Sequence, residues 1–204
     1  MFKKLASDAL GLSDIGKIIS PAYYDKADAD DYVMHEDDEK MYFLIKTKAD
    51  EYCFTNLALI HVDGASAVSS KSTLKRYPYV QYKITDVLLE TAGKIDMDVE
   101  IKFNIGNIHF DIDVRKDQLE QLKDLYKSLL KIAEIMYENE ILLTTATNSL
   151  DRAGSVLQQS RTDDQQLAKT YEDLTEFSFE WLTSAHEQYH VKDFGEVFEK
   201  YINN

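Results

Sequence analysis

The residues with the clearest capacity for chemistry are His186-Glu187-Gln188-Tyr189-His190, which fit H-E-x-x-H. Two histidines four apart share one face of a helix. Their imidazoles can hold Zn²⁺ while the glutamate activates a water, the arrangement of metallopeptidases. Such a site needs a third protein ligand, usually well downstream. The residues after His190 include Glu196 and Glu199 but no histidine, and Asp193 and Gly195 do not fit the spacing His-x-x-Gly-x-x-His. The motif therefore assigns no catalytic residue. His186 and His190 stand as metal-ligand candidates, against the plainer reading of two histidines on a helix beside Trp181 and Tyr189.

A second constellation is basic. Lys71, Lys75, Arg76 and Lys83 are the densest cationic group of the first half. Converging ammonium and guanidinium donors can hold a lipid phosphate. Lysines guarding an exposed edge strand would look the same in sequence. Cys53 lies within an apolar strand pattern and reads as core rather than nucleophile. The acidic run from Asp25 to Glu39 has the oxygen density of a Ca²⁺ loop, but Asp30 stands where an EF-hand needs glycine, so it reads as a solvated lead-in. The seven glycines are scattered and form no phosphate-binding loop, and no cofactor is expected.

These residues must be positioned by a chain of 204 residues, 44% hydrophobic and 11% aromatic, which is enough for a real core. Apolar runs are only a few residues long, as in Leu57-Ala58-Leu59-Ile60, so no membrane-spanning helix is predicted. The opening Met1-Phe2-Lys3-Lys4 leads into a short amphipathic pattern ending at Gly11, not a signal peptide. A single cysteine forbids an intrachain disulfide, which points to the cytoplasm, with peripheral membrane attachment as a variant. The net charge of −14 is spread over both halves. It argues against nucleic acid as a partner and disfavours an acidic lipid surface.

The period of the hydrophobic pattern changes near residue 115. Before it, short strand-like segments alternate or run apolar: Met41–Thr47, Tyr52–Thr55, Leu57–Val62, Leu74–Tyr82 with Pro78 marking an edge, Ile84–Thr91, Val99–Ile105 and Ile108–Asp113. After it, Leu119, Leu122, Tyr126, Leu129, Ala133, Met136 and Leu143 keep a three–four spacing, with a second stripe through Leu125, Ile132, Ile135 and Leu142. Where helices break within 131–165 is not specified by this pattern. Thr162-Asp163-Asp164-Gln165 has the form of a capping box opening a helix with Leu167, Tyr171, Leu174, Phe177, Trp181 and Leu182, and a last helix holds Phe194, Val197, Phe198, Tyr201 and Ile202.

Particular segments resemble a known family. They are Phe54-Thr55-Asn56 leading into Leu59–Asp63, Tyr77-Pro78-Tyr79 before Ile84-Thr85, and Glu90-Thr91-Ala92-Gly93-Lys94-Ile95-Asp96-Met97-Asp98 before Val99–Ile105. Over roughly residues 30–130 the chain resembles the bacterial pleckstrin-homology (PH) domain family. Its tail looks like the YvbH-like oligomerisation region that follows such domains. The resemblance implies a β-barrel capped by a helix, ring-like self-assembly and no established catalytic activity. Leu57-Ala58 depart from the Lys-Arg that members often place there, which weakens a basic surface on that strand.

The expected fold is therefore mainly β plus α. A PH-like seven-stranded antiparallel barrel or sandwich capped by a helix fills residues 1–130, and a helical oligomerisation extension fills 131–204. The expected protein is a non-enzymatic, self-associating binding or scaffold protein with a further protein partner that the sequence does not identify. Leu142, Leu143, Phe177, Trp181, Phe198 and Tyr201 are the candidate interface anchors. A peripheral lipid adaptor is the rival reading, and a zinc hydrolase using His186 and His190 a remote one.

Overall fold

Alternating side chains decide the strands. In a computed structural model describing residues 13–64, 73–91, 98–159 and 167–202, Val99, Ile101, Phe103 and Ile105 point inward from one strand and Phe110, Ile112 and Val114 from the next. Period-two patterns of this kind bury one face of a sheet. The expected first helix over Phe2–Leu10, Lys71 and the capping box at Thr162–Gln165 lie outside the described residues.

Among the described residues, eight antiparallel strands form two sheets. The first has the order β1 (Lys17–Ile18), β2 (Met41–Lys46), β3 (Asp50–Thr55), β4 (Ala58–Asp63), β5 (Thr73–Pro78). The second is β6 (Ile84–Glu90), β7 (Asp98–Ile105), β8 (Ile108–Arg115). Seven of these match the segments expected from sequence, and the two-residue β1 is added by the structure. β5 is an edge strand and ends at Pro78, because proline cannot extend the ladder. Phe103 stacks on Phe110 with centroids 5.2 Å apart and leans on Phe54 of the first sheet at 6.0 Å, which ties the two layers into one core.

The corner between the sheets closes at Gly16, which bridges Val114 of β8. Its N–H donates to Asp113 O at 2.8 Å, and its carbonyl accepts from Arg115 N–H at 3.1 Å. A Cβ here would sit 2.7 Å from Ile45 Cγ2 and 2.8 Å from Asp113 O, so only glycine fits. Gln118 supports the same edge. Its amide accepts from Ile18 N–H at 2.8 Å and donates to Ile18 O at 2.9 Å.

The acidic lead-in is not simply solvated. It forms three 3-10 turns, Pro21–Lys26, Ala29–Tyr32 and His35–Asp37, and buries Ala27, Ala29 and Val33 against Leu44, Cys53 and Ile60. Two buried carboxylates hold it. Glu51 accepts the N–H of Asp28 at 3.2 Å and of Ala29 at 2.7 Å, and pairs with Lys46. Glu39 accepts the N–H of Met34 at 2.8 Å and the Thr55 hydroxyl, and is gripped by both ends of the Arg76 guanidinium at 3.0 and 2.9 Å. Turn amides without ladder partners need such acceptors when buried.

α1 (Leu119–Gln159) then begins. Leu122, Leu125, Leu129 and Ile132 are fully buried and close the core. By contact the chain divides into two compact units: Met1–Ala133 with Lys192–Asn204, and Glu134–Val191. In the first, Phe194, which precedes α3 (Gly195–Ile202), and Phe198 within α3 are buried beside Tyr79 and Tyr42. In the second, the later turns of α1 meet α2 (Leu167–Tyr189), where Trp181 Nε1–H donates to Ala146 O at 3.2 Å.

Candidate functional site

The H-E-x-x-H segment closes α2, with His186–Tyr189 in its last turn and His190 just beyond it. His186 is exposed, and its ring stacks on His190 with centroids 4.4 Å apart and 25° between the planes. Among the described residues, one group of three acidic, histidine or cysteine side chains brings its ligand atoms within 4.8 Å of one another, and it lies elsewhere: Glu100, Asp111 and Asp113. Neither His186 nor His190 belongs to that group.

The sequence reading missed the acidic trio, although the register makes it legible. Glu100 on β7 faces Asp113 on β8, and Asp111 is the next outward residue. Burial pushes the Asp113 carboxyl up, and the fields of Glu100, Asp98 and Asp111 add to the rise. Lys102 opposes it. Its ammonium lies 2.6 Å from Glu100, 2.9 Å from Glu90 and 3.7 Å from Asp111. The chain's own lysine therefore supplies the cation that this patch attracts.

Three members of the basic group, Lys75, Arg76 and Lys83, lie among the described residues. Lys75 and Arg76 are successive on β5 and so point to opposite faces. Arg76 turns inward to Glu39, whose side chain is 0% exposed. Lys83 stands in the turn before β6, where its carbonyl accepts Gly106 N–H at 2.8 Å. Cys53 is fully buried, and desolvation pushes its thiol well up, with Glu39 and Glu51 adding to the effect.

The candidate anchors separate into two places. Phe198 is 0% exposed. It stacks on Tyr42 with centroids 5.3 Å apart and lies 6.5 Å from Tyr79, so its ring is engaged within the chain's own core. Tyr201 is half-buried on the same helix. This C-terminal contact was not visible in the sequence. Asp193 accepts from Asn56 Nδ2 and from Gly195 N–H, both at 2.7 Å; Phe194 N–H donates to Asn56 O at 2.9 Å, and Tyr42 donates to Glu199 at 3.1 Å. Tyr79 is fully buried beneath it, its hydroxyl without a hydrogen-bond partner, and burial raises its pKa well above the usual phenol value.

The remaining anchors sit in Glu134–Val191. Leu142, Phe177 and Trp181 are exposed and Leu143 half-buried. Leu142 and Trp181 flank a hollow of about 230 Å³ whose floor includes Ala146 and Ala185. Tyr137, Ile141, Val156, Tyr171, Phe179 and Leu182 of the same unit are exposed as well, and Ala146 and Ala185 are its only buried apolar side chains among the described residues. Two helices with so little interior cannot account for their own stability by burial.

Comparison with known proteins bears on both units. Residues 9–133 match the family described as bacterial PH domain, and residues 144–204 match the YvbH-like oligomerisation region. The uncharacterised protein YvbH of Bacillus subtilis (strain 168) is 71% identical over 204 residues, covering 100% of both chains. A crystal structure of a PH domain containing bacterial protein from Exiguobacterium sibiricum 255-15 superposes with a TM-score of 0.84 at 54% identity, covering 93% of this chain and 100% of that one. No described helix is long and apolar enough to cross a membrane.

Proposed function

The chain belongs to the bacterial PH domain family and carries a YvbH-like oligomerisation region, and from that premise we propose that it is a non-enzymatic, cytoplasmic scaffold that associates with copies of itself through the helical unit. The observation that carries this reading is the helical unit Glu134–Val191, which leaves Tyr137, Ile141, Leu142, Tyr171, Phe177, Phe179 and Trp181 in water while burying little but alanine. So many exposed large apolar side chains beside so small an interior mark an interaction site. The barrel is the part that would meet a further protein, and several copies held together would present that weak site with avidity. The family is not a known enzyme family, and the paired histidines lack a third ligand among the described residues.

The test is the solution mass of the full chain by light scattering, together with Tyr171→Ser and Phe177→Ser. A wild-type oligomer whose mass falls in these variants supports the reading, and a wild-type monomer at every concentration overturns it. Truncation after residue 130 is a poor substitute, because it removes Phe194 and Phe198 from the barrel core. The lipid-adaptor alternative draws little support from a chain of net charge −14 in which Arg76 is held by Glu39. Co-sedimentation with anionic vesicles at low salt tests it, and absence of binding removes it.

A further inference from the structure

α2 has two faces of different character. Trp181, Ser184, Ala185 and Gln188 turn toward α1 of the same unit around the 230 Å³ hollow. At 3.6 residues per turn the opposite side carries Glu172, Glu176, Phe179, Thr183 and His186 in one stripe, continued by His190, which stacks on His186 just past the end of the helix. All of these but the half-buried His190 are exposed, and Phe179 is 72% exposed.

The stripe is polar along its length. Its N-terminal end bears two carboxylates and its C-terminal end two imidazoles. The spacing is symmetric: Glu172 and His190 are equally far in sequence from Trp181, and so are Glu176 and His186. A second α2 laid antiparallel on this face, with a two-fold axis at the level of Trp181, therefore brings Glu172 opposite His190 and Glu176 opposite His186, each twice. Phe179 falls beside Thr183 of the other copy and near its own symmetry mate. Glu180 meets Leu182 and Glu187 meets Thr175, so no like charges are opposed. A parallel pairing would stack carboxylate on carboxylate.

We infer that the outer face of α2 docks antiparallel on the same face of a second copy, with Phe179 at the centre and Glu172, Glu176, His186 and His190 fixing orientation and register. This rests on the self-association proposed above and names its contact. It also gives the stacked histidines a role without a metal: their ring N–H groups are the donors that face the carboxylates of an isologous interface. Such a contact pairs copies, and closure of a ring then takes a second, different contact.

The experiment uses full-length chains and the concentration dependence of mass by sedimentation, with far-UV CD to confirm unchanged helix content. Phe179→Ser and the pair H186E/H190E, which change exposed Phe179 and His186 and half-buried His190, should each weaken association at least about tenfold, since opposed like charges penalise a wrong partner strongly. Adding E172K/E176K to H186E/H190E should restore it by reversing both signs. A wild-type monomer would overturn self-association itself. A wild-type oligomer with unchanged dissociation in Phe179→Ser and H186E/H190E would overturn only this contact, as would a fourfold variant no tighter than H186E/H190E.

Discussion

Replacing Arg76 by methionine removes one half of a buried ion pair and leaves the other in place. Glu39 would keep the Met34 N–H and the Thr55 hydroxyl but lose both guanidinium contacts, at a position with no exposed side-chain surface. Deleting one partner of a buried pair costs about 3–5 kcal/mol. The Arg76 side chain is 22% exposed, so water offsets part of the loss, and the lower end, about 3 kcal/mol, is the expected value. That is about a hundredfold in the folding equilibrium. With a urea dependence of about 2 kcal/mol/M, the midpoint should fall by about 1.5 M. The tyrosine near-UV CD band should report the barrel, and the fluorescence of Trp181, the only tryptophan, the helical unit. The double variant E39Q/R76M neutralises the orphaned charge and should recover at least about 1 kcal/mol of the loss. A loss below about 1 kcal/mol in R76M would refute the reasoning, and so would a double variant no more stable than R76M. A fall in vesicle or partner binding by Arg76 variants would then need a stability control before being read as a lost contact.

Three further outcomes follow from the same geometry. Phe198→Ala should destabilise the barrel by about 3–5 kcal/mol in denaturant unfolding, whereas Tyr201→Ala should cost less, because only the former ring is fully buried. Gly16→Val should lower stability by about 1–3 kcal/mol, since its side chain would meet Ile45 and the Asp113 carbonyl; a neutral result would mean that the sheet corner does not close as described. Alkali should unfold the protein: Tyr42 and Tyr52 are pushed up to about 12 by burial, and Tyr79 well up, while unfolded phenols ionise near pH 10. Their stabilisation is therefore complete below about pH 10 and lost as pH rises toward 12. Tyr79→Phe, which removes a hydroxyl with no partner, should match or exceed wild type by about 1 kcal/mol at pH 7 and lose stability less steeply above pH 10.

What the sequence discloses here is what repeats locally. The strands over Val99–Ile105 and Ile108–Arg115 are legible because burial alternates as their side chains do, apart from Ile108, which the turn at Gly106 leaves exposed. Pro78 marks the edge strand for a covalent reason. The grip of Glu39 on Arg76 is not legible, since it joins residues far apart in the chain and both types normally signal surface. Phe198 and Phe177 likewise show one pattern and have two fates: an aromatic on an amphipathic helix looks the same whether it faces its own barrel or water. The two-residue β1 carries too few residues for any period to register. The order of the α2 stripe was present in the numbering all along, but it becomes readable only once the inner face of α2 is assigned to α1.

The return of the chain to the barrel at Lys192 also sets an order of events during synthesis. Because α3 follows the whole of Glu134–Val191, the helical unit is complete in every nascent chain before the aromatic seat of Tyr42 and Tyr79 receives Phe194 and Phe198. At elongation rates of about 5–20 residues per second, that seat stays open for several seconds on each ribosome. On neighbouring ribosomes of one message, helical units can therefore meet while their barrels are still unlatched. In that interval a C-terminal segment can latch onto a neighbour's barrel instead of its own.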